Sequence, residues 1–156
     1  MKNLAKTVMA VLMCAFVTAA AADETKVGVK DAWINEAPPG AAAMAGYMTL
    51  HNPSTQARAL VGAKSAGFAM VMMHRTEMEG GMAKMVHQEE VDIPAGGEVS
   101  FAPGGYHLML MRPRQAYKAG DKVEITLLFK NGTEMPVQFE VRRGAPMDMG
   151  GHGHMH

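Results

Sequence analysis

The chain has 156 residues, with 15 Lys plus Arg balanced by 15 Asp plus Glu, 17 methionines and a single cysteine. A balance this even makes no electrostatic case for binding nucleic acid or an anionic membrane surface. The length suits one domain with a single core.

Residues 1–22 place Lys2 and Lys6 ahead of an apolar stretch and end in small residues. This order predicts a signal peptide cut before Asp23. Its apolar part is shorter than the roughly 20 residues a spanning helix needs, so no membrane insertion is expected after cleavage. Cys14 falls inside this leader, and Met13 before it is not the small residue a lipid-attachment site requires. Cleavage leaves 134 residues with 13 basic and 15 acidic side chains, no thiol, and 14 of the 17 methionines. Without cysteine, disulfides, thiol catalysis and the His2Cys site of blue-copper carriers are all excluded. The methionine excess is more than core filling asks for.

Residues 26–34 read as one or two short strands around Trp33, and Pro38 and Pro39 then mark a loop. Residues 44–51 read as a strand ending at Asn52 and Pro53, with His51 as a polar strand-end residue rather than a ligand. A short strand over 58–63 precedes one over 69–76, in which Met70, Met72 and His74 share a face. Residues 77–81 read as the turn, and 82–87 as the returning strand.

Short strands follow at 91–93 and 99–101, joined by a Pro/Gly loop. Gly104 and Gly105 permit a sharp bend before the segment HLMLM, setting its His107 and Met109 at an edge or rim. These two side chains point to one face, with Leu108 and Leu110 on the other. Met111 shares the ligand face. Residues 122–129 alternate Val123, Ile125, Leu127 and Phe129, and the return over 136–141 makes a hairpin about Asn131 and Gly132. Asn131, Gly132 and Thr133 also spell a glycosylation sequon, but the turn reading is preferred.

No helical period persists over three turns. Many short strands between Gly/Pro turns predict an antiparallel sandwich or Greek-key barrel. From Gly144 onward, GAPMDMGGHGHMH cannot bury a core and reads as a flexible tail. The expected organisation is a leader over 1–22, a β-sandwich domain over 23–143 and a tail over 144–156.

His74, Met85, His107 and Met109 offer two imidazoles and two thioethers. Thioethers are neutral and polarizable, and compete poorly for hard ions; with imidazole they favour Cu(I) over zinc, magnesium or calcium. Met82 and His87 are the nearest competitors, His87 falling on the face of Met85 if the strand is regular. In the tail, His152, His154 and His156 with Met147, Met149 and Met155 form a candidate second site, whose imidazoles suit Cu(II).

The spacing His74, ten residues, Met85, twenty-one residues, His107, one residue, Met109 resembles the signature of the periplasmic copper chaperones known as PCuAC. The words DAWINEAPPG, AGYMTLHN, VDIPAGGEVSFAPGGYHLMLM and AGDKVEITLLF resemble that family too, over about residues 27–142. The resemblance selects Met85 over Met82 and His87. It implies a cupredoxin-like sandwich, a periplasmic location, a carrier rather than an enzyme, and delivery of Cu(I) for cytochrome c oxidase assembly. The acceptor it implies is an oxidase subunit or a Sco-type assembly factor. Storage or resistance uses the same ligands and stays open. A copper oxidase finds neither a blue-centre cysteine nor a second histidine cluster here. A metal-free exported sandwich predicts no stoichiometric Cu(I) binding.

Overall fold

The computed structural model describes residues 26–144. The expected leader with Cys14, and the tail residues Met147, Met149, His152, His154, Met155 and His156, lie outside them. Ten strands and no helix make up the described residues: β1 (Gly28–Asn35), β2 (Ala43–His51), β3 (Arg58–Lys64), β4 (Phe68–Glu79), β5 (Met82–His87), β6 (Val91–Ile93), β7 (Glu98–Phe101), β8 (Tyr106–Pro113), β9 (Lys122–Phe129) and β10 (Glu134–Arg142). They hydrogen-bond in the order β5-β4-β8-β7-β2-β1-β10-β9-β3-β6, with β8 also paired to β2.

The halves of this sheet enclose one core. Leu108 and Leu110 of β8, Met73 of β4 and Leu50 of β2 join Ile125 and Leu127 of β9 and Phe139 of β10 in a single apolar cluster. Burying each such side chain stabilises the fold by about 1.5–3 kcal/mol. The alternation expected in β9 holds, since Val123, Ile125, Leu127 and Phe129 are all buried. Gly46 on β2 lies against this core, where a Cβ would make ordinary contacts with Leu108 at 3.4 Å and Phe139 at 3.8 Å.

Pairing is antiparallel except at two places. β1 runs parallel to β10, with Trp33 opposite Glu140, and β7 touches β8 in parallel at Phe101 and Tyr106. Parallel neighbours need a crossover between them, and nearly the whole domain separates β1 from β10. The segment around Trp33 is one strand carrying a bulge. Register with β2 slips between Lys30 and Trp33, where Asp31 takes a positive φ of 48° and its carboxylate accepts from Arg142 at 2.6 Å.

Two hairpins depart from their expected turns. β4 and β5 pair out to Glu79 and Met82, so the turn is Gly80 and Gly81 alone, and residues 77–79 are strand. Both glycines have positive φ, 59° and 81°, as a two-residue type I′ turn requires. At the other hairpin, Gly132 N–H donates to Phe129 O and Gly132 alone has positive φ. That is a three-residue loop closed by a glycine bulge, with Asn131 Oδ1 accepting from Thr133 N–H.

Asn52 is more than a turn marker. Its side chain is fully buried, Nδ2 donating to the carbonyls of Gln56, Ile93 and Pro94 while Oδ1 accepts from Ser54. One amide thereby satisfies the backbone where β2, β6 and their loops meet.

A candidate copper site on the outer face of β5, β4 and β8

β8 is an interior strand, flanked by β4 on one side and by β2 and β7 on the other. His107 and Met109 therefore lie in the body of the sheet rather than at its edge, and the edge strand beside them is β5. The bend at Gly104, with φ 83°, delivers the chain to the start of β8. There Gly105 N–H donates to Ala102 O at 3.0 Å.

Pleating turns Leu108 and Leu110 to the core and leaves His107, Met109 and Met111 on the outer face. On β4, Met73 goes inward while Met70, Met72, His74 and Thr76 face outward. Cross-strand register then assembles rows. His74 stands opposite His107 on one side and His87 on the other; Met72 stands opposite Met109, and Thr76 opposite Met85. Neighbours within a row are about 4.8 Å apart and rows about 6.7 Å apart.

The imidazoles are brought together. The His74 and His107 ring centroids are 5.8 Å apart, and those of His74 and His87 5.6 Å. Met109 lies one row from this pair on β8. Met85 lies one row away in the opposite direction, on β5, and is 58% exposed. The two thioethers thus lie diagonally on either side of the imidazole row, and Met85 has three flexible side-chain bonds. Met82 belongs to the other face, opposite Glu79, and is removed from contention by register.

His107 is only 4% exposed, and its two nitrogens differ. Nδ1 donates to Gly105 O at 3.2 Å, which assigns the tautomer and leaves the Nε2 lone pair free. Nε2 is buried with no protein partner, as is Nδ1 of His74. An unpaired buried polar nitrogen costs about 1–3 kcal/mol, and a metal ion that accepts the His107 Nε2 lone pair offsets that cost. Burial first, then the charges of His107 and His87, hold the His74 imidazole below its ordinary pKa of 6.5, so its neutral, ligating form prevails at neutral pH.

Among the described residues no three His, Cys, Asp or Glu side chains form a metal-holding group. The donors on this face are imidazole nitrogens and thioether sulfurs, a set whose chemistry suits Cu(I) and disfavours zinc or calcium. The contribution that side-chain spacing does not reveal is Gly105 O, which accepts from His107 Nδ1 and from Thr76 N–H at 3.0 Å. It is a backbone group, and no residue type announces it.

The family profile described as "Putative lipoprotein LpqE-like" matches residues 27–141. The chain is 32% identical over 117 residues to "Putative lipoprotein Lxx21020" of Leifsonia xyli subsp. xyli (strain CTCB07), covering 74% of this chain and 69% of that protein. It covers 56% of a second relative, from Rickettsia prowazekii (strain Madrid E), also at 32% identity. Among solved structures, the Cu(I) form of DR1885 from Deinococcus radiodurans superposes with a TM-score of 0.61 at 34% identity, covering 82% of this chain and 84% of that one. A copper-bound PCuAC domain from PmoF2 gives 0.65 at 24% identity, over 76% and 94% of the two chains. The second likeness speaks for the fold alone, and the fold is the expected cupredoxin-like sandwich. With a profile match spanning the whole described domain and relatives at a third identity, the chain belongs to the LpqE-like family and carries its PCuAC-type domain.

Proposed function

We propose that this protein is a copper chaperone of the cell envelope, which holds Cu(I) through His74, Met85, His107 and Met109 and passes it to an acceptor protein. The observation that carries the reading is the buried, unpartnered Nε2 of His107, on a ring whose centroid lies 5.8 Å from that of His74 on a thioether-bearing face. Support comes also from the Cu(I)-bound state of the similar protein DR1885. Imidazole and thioether are neutral, so the site keeps the ion's single positive charge. An acceptor can then displace the donors one at a time, and the exposed Met85 is the ligand to leave first.

In this reading the protein is a carrier and copper its cargo, with no bond made or broken in a substrate. The acceptor is a copper site of a respiratory oxidase, reached directly or through a Sco-type assembly factor, and the location is periplasmic after leader cleavage. The tail, through His152, His154 and His156 with Met147, Met149 and Met155, takes Cu(II) and raises the local copper supply.

Anaerobic Cu(I) titration against a competing chelator tests the site, using the wild type, the four single alanine variants and a chain lacking residues 147–156. Loss of affinity in all four variants with Cu(I) affinity retained in the truncated chain supports it; four unchanged affinities sink it. Transfer to an apo-acceptor separates delivery from storage, because a storage protein keeps its copper in that assay. Equal Cu(II) affinity with and without residues 147–156 removes the role given to the tail.

A further inference from the structure

The outer face holds more thioethers than a two-sulfur site uses. Met70 stands opposite Met111, and Met72 opposite Met109, so β4 and β8 present two consecutive methionine pairs immediately beyond the His74–His107 row. The neighbours of Met111 and Met109 on β2 are Ala43 and Ala45, whose methyl groups are too short to cover the sulfurs. On the other side, β5 stops at His87, opposite His74, and leaves Met72 and Met70 without a flanking strand. Met70 is 56% exposed as a result, and Met72, Met109 and Met111 are each partly exposed.

We propose that Met70, Met72 and Met111, with Met109 shared, form a second, sulfur-only subsite for a soft monovalent cation, Cu(I) or Ag(I), beside the His–Met site. Directly opposed residues on a sheet carry Cβ atoms about 4.5–5.5 Å apart, and diagonal ones about 7–8 Å. Four flexible side chains on that grid can bring three or four sulfurs to one point above the face. Neutral thioethers select soft ions and reject zinc and calcium. No histidine or carboxylate is needed, which distinguishes this subsite from the neighbouring one. Sharing Met109 makes the two sites consecutive, so an ion leaving the His–Met site has a sulfur ligand common to both on its way along β8. The proposal rests on the register of β4 with β8 and stands whether or not the His–Met reading does.

The test uses the full chain labelled with 13C at the methionine methyl groups, titrated with Ag(I), a d10 ion that reports soft-ligand binding without redox change. In an H74A/H107A variant, the methyl signals of Met70, Met72, Met109 and Met111 are expected to shift together and saturate with one added equivalent. The methyl of buried Met73 reports that the fold is intact, and Met147, Met149 and Met155 report the tail separately. Met70 and Met111 signals that stay fixed to saturation overturn the proposal. A M70L/M111L chain with its histidines intact gives a second reading that does not depend on the first variant's folding. It is expected to lose the coordinated shift of Met72 at the second equivalent, while Met85 still responds to the first; persistence of that Met72 shift overturns the proposal. Failure of the His–Met reading looks different, as a Met85 methyl silent in the wild type.

Discussion

His107 Nδ1 donates to Gly105 O across 3.2 Å, and the same carbonyl accepts from Thr76 N–H, so the strand that carries His74 and the ring of His107 are tied to one oxygen. This contact orients His107 before any metal arrives. Pre-orientation removes a cost of ordering that a free side chain would impose on binding.

The four ligands should therefore not weigh equally. H107A removes a ring already held in place and H74A the ring opposite it, and each is expected to lower Cu(I) affinity by at least about tenfold, the lower bound seen for groups that support metal ligands. M85A removes an exposed, unrestrained thioether and should cost less, while speeding transfer to an acceptor. H87A should leave Cu(I) affinity near the wild-type value. Chelator competition ranks the variants, and an H87A loss matching that of H107A would reassign the second imidazole.

The pH response of His74 follows from its lowered pKa. The folded state binds this proton less readily than the unfolded chain, whose histidine titrates near 6.5. The unfolded state therefore holds more protons as pH falls through that value. The contribution is fully favourable above about 6.5, declines with acidification, and levels off below the folded-state pKa. NMR titration of the His74 ring in the apo-protein should give a midpoint below 6.5. Burial is the leading cause, so removing the charge of His107 in H107A should raise the midpoint only in part. A wild-type midpoint at or above 6.5 contradicts this account.

Stability and copper affinity should separate along β8. Leu108 is fully buried between the two outward ligands, and Leu108→Ala should cost about 2–5 kcal/mol of unfolding free energy. Met109→Ala on the opposite face should cost far less stability and far more affinity. Urea unfolding and Cu(I) competition on both variants check the contrast.

The Gly80 and Gly81 turn sets the hairpin that presents Met85. Alanine at Gly81, where φ is 81°, should cost about 1–2 kcal/mol for the left-handed backbone. The loss is expected to stay local, since β5 is an edge strand. X-ray absorption on Cu(I)-loaded G81A protein should show a weakened sulfur shell with its nitrogen shell intact.

Asn52→Ala should destabilise the domain by about 2–4 kcal/mol, because three carbonyls lose their shared donor inside the fold. Urea unfolding measures it. A change under about 0.5 kcal/mol would mean that water replaces the amide without penalty.

The one-dimensional pattern determined a good deal of this protein. Alternation in residues 122–129 named the buried face of β9, and HLMLM named which β8 side chains face away from the core, because a strand's period of two leaves little choice. Ligand chemistry pointed to histidine and methionine, and the resemblance to PCuAC proteins singled out His74, Met85, His107 and Met109 among them. Tertiary structure decided what lies side by side. The parallel pairing of β1 with β10, the interior position of β8, His87 opposite His74, the exclusion of Met82 and the methionine pairs across β4 and β8 all depend on register between segments far apart in the chain. The glycine bulge at Gly132, rather than a two-residue Asn–Gly turn, and the role of Gly105 O depend on backbone geometry that side-chain identity does not encode. Local periodicity comes from the covalent geometry of each strand, whereas register comes from the summed packing of a core to which every strand contributes.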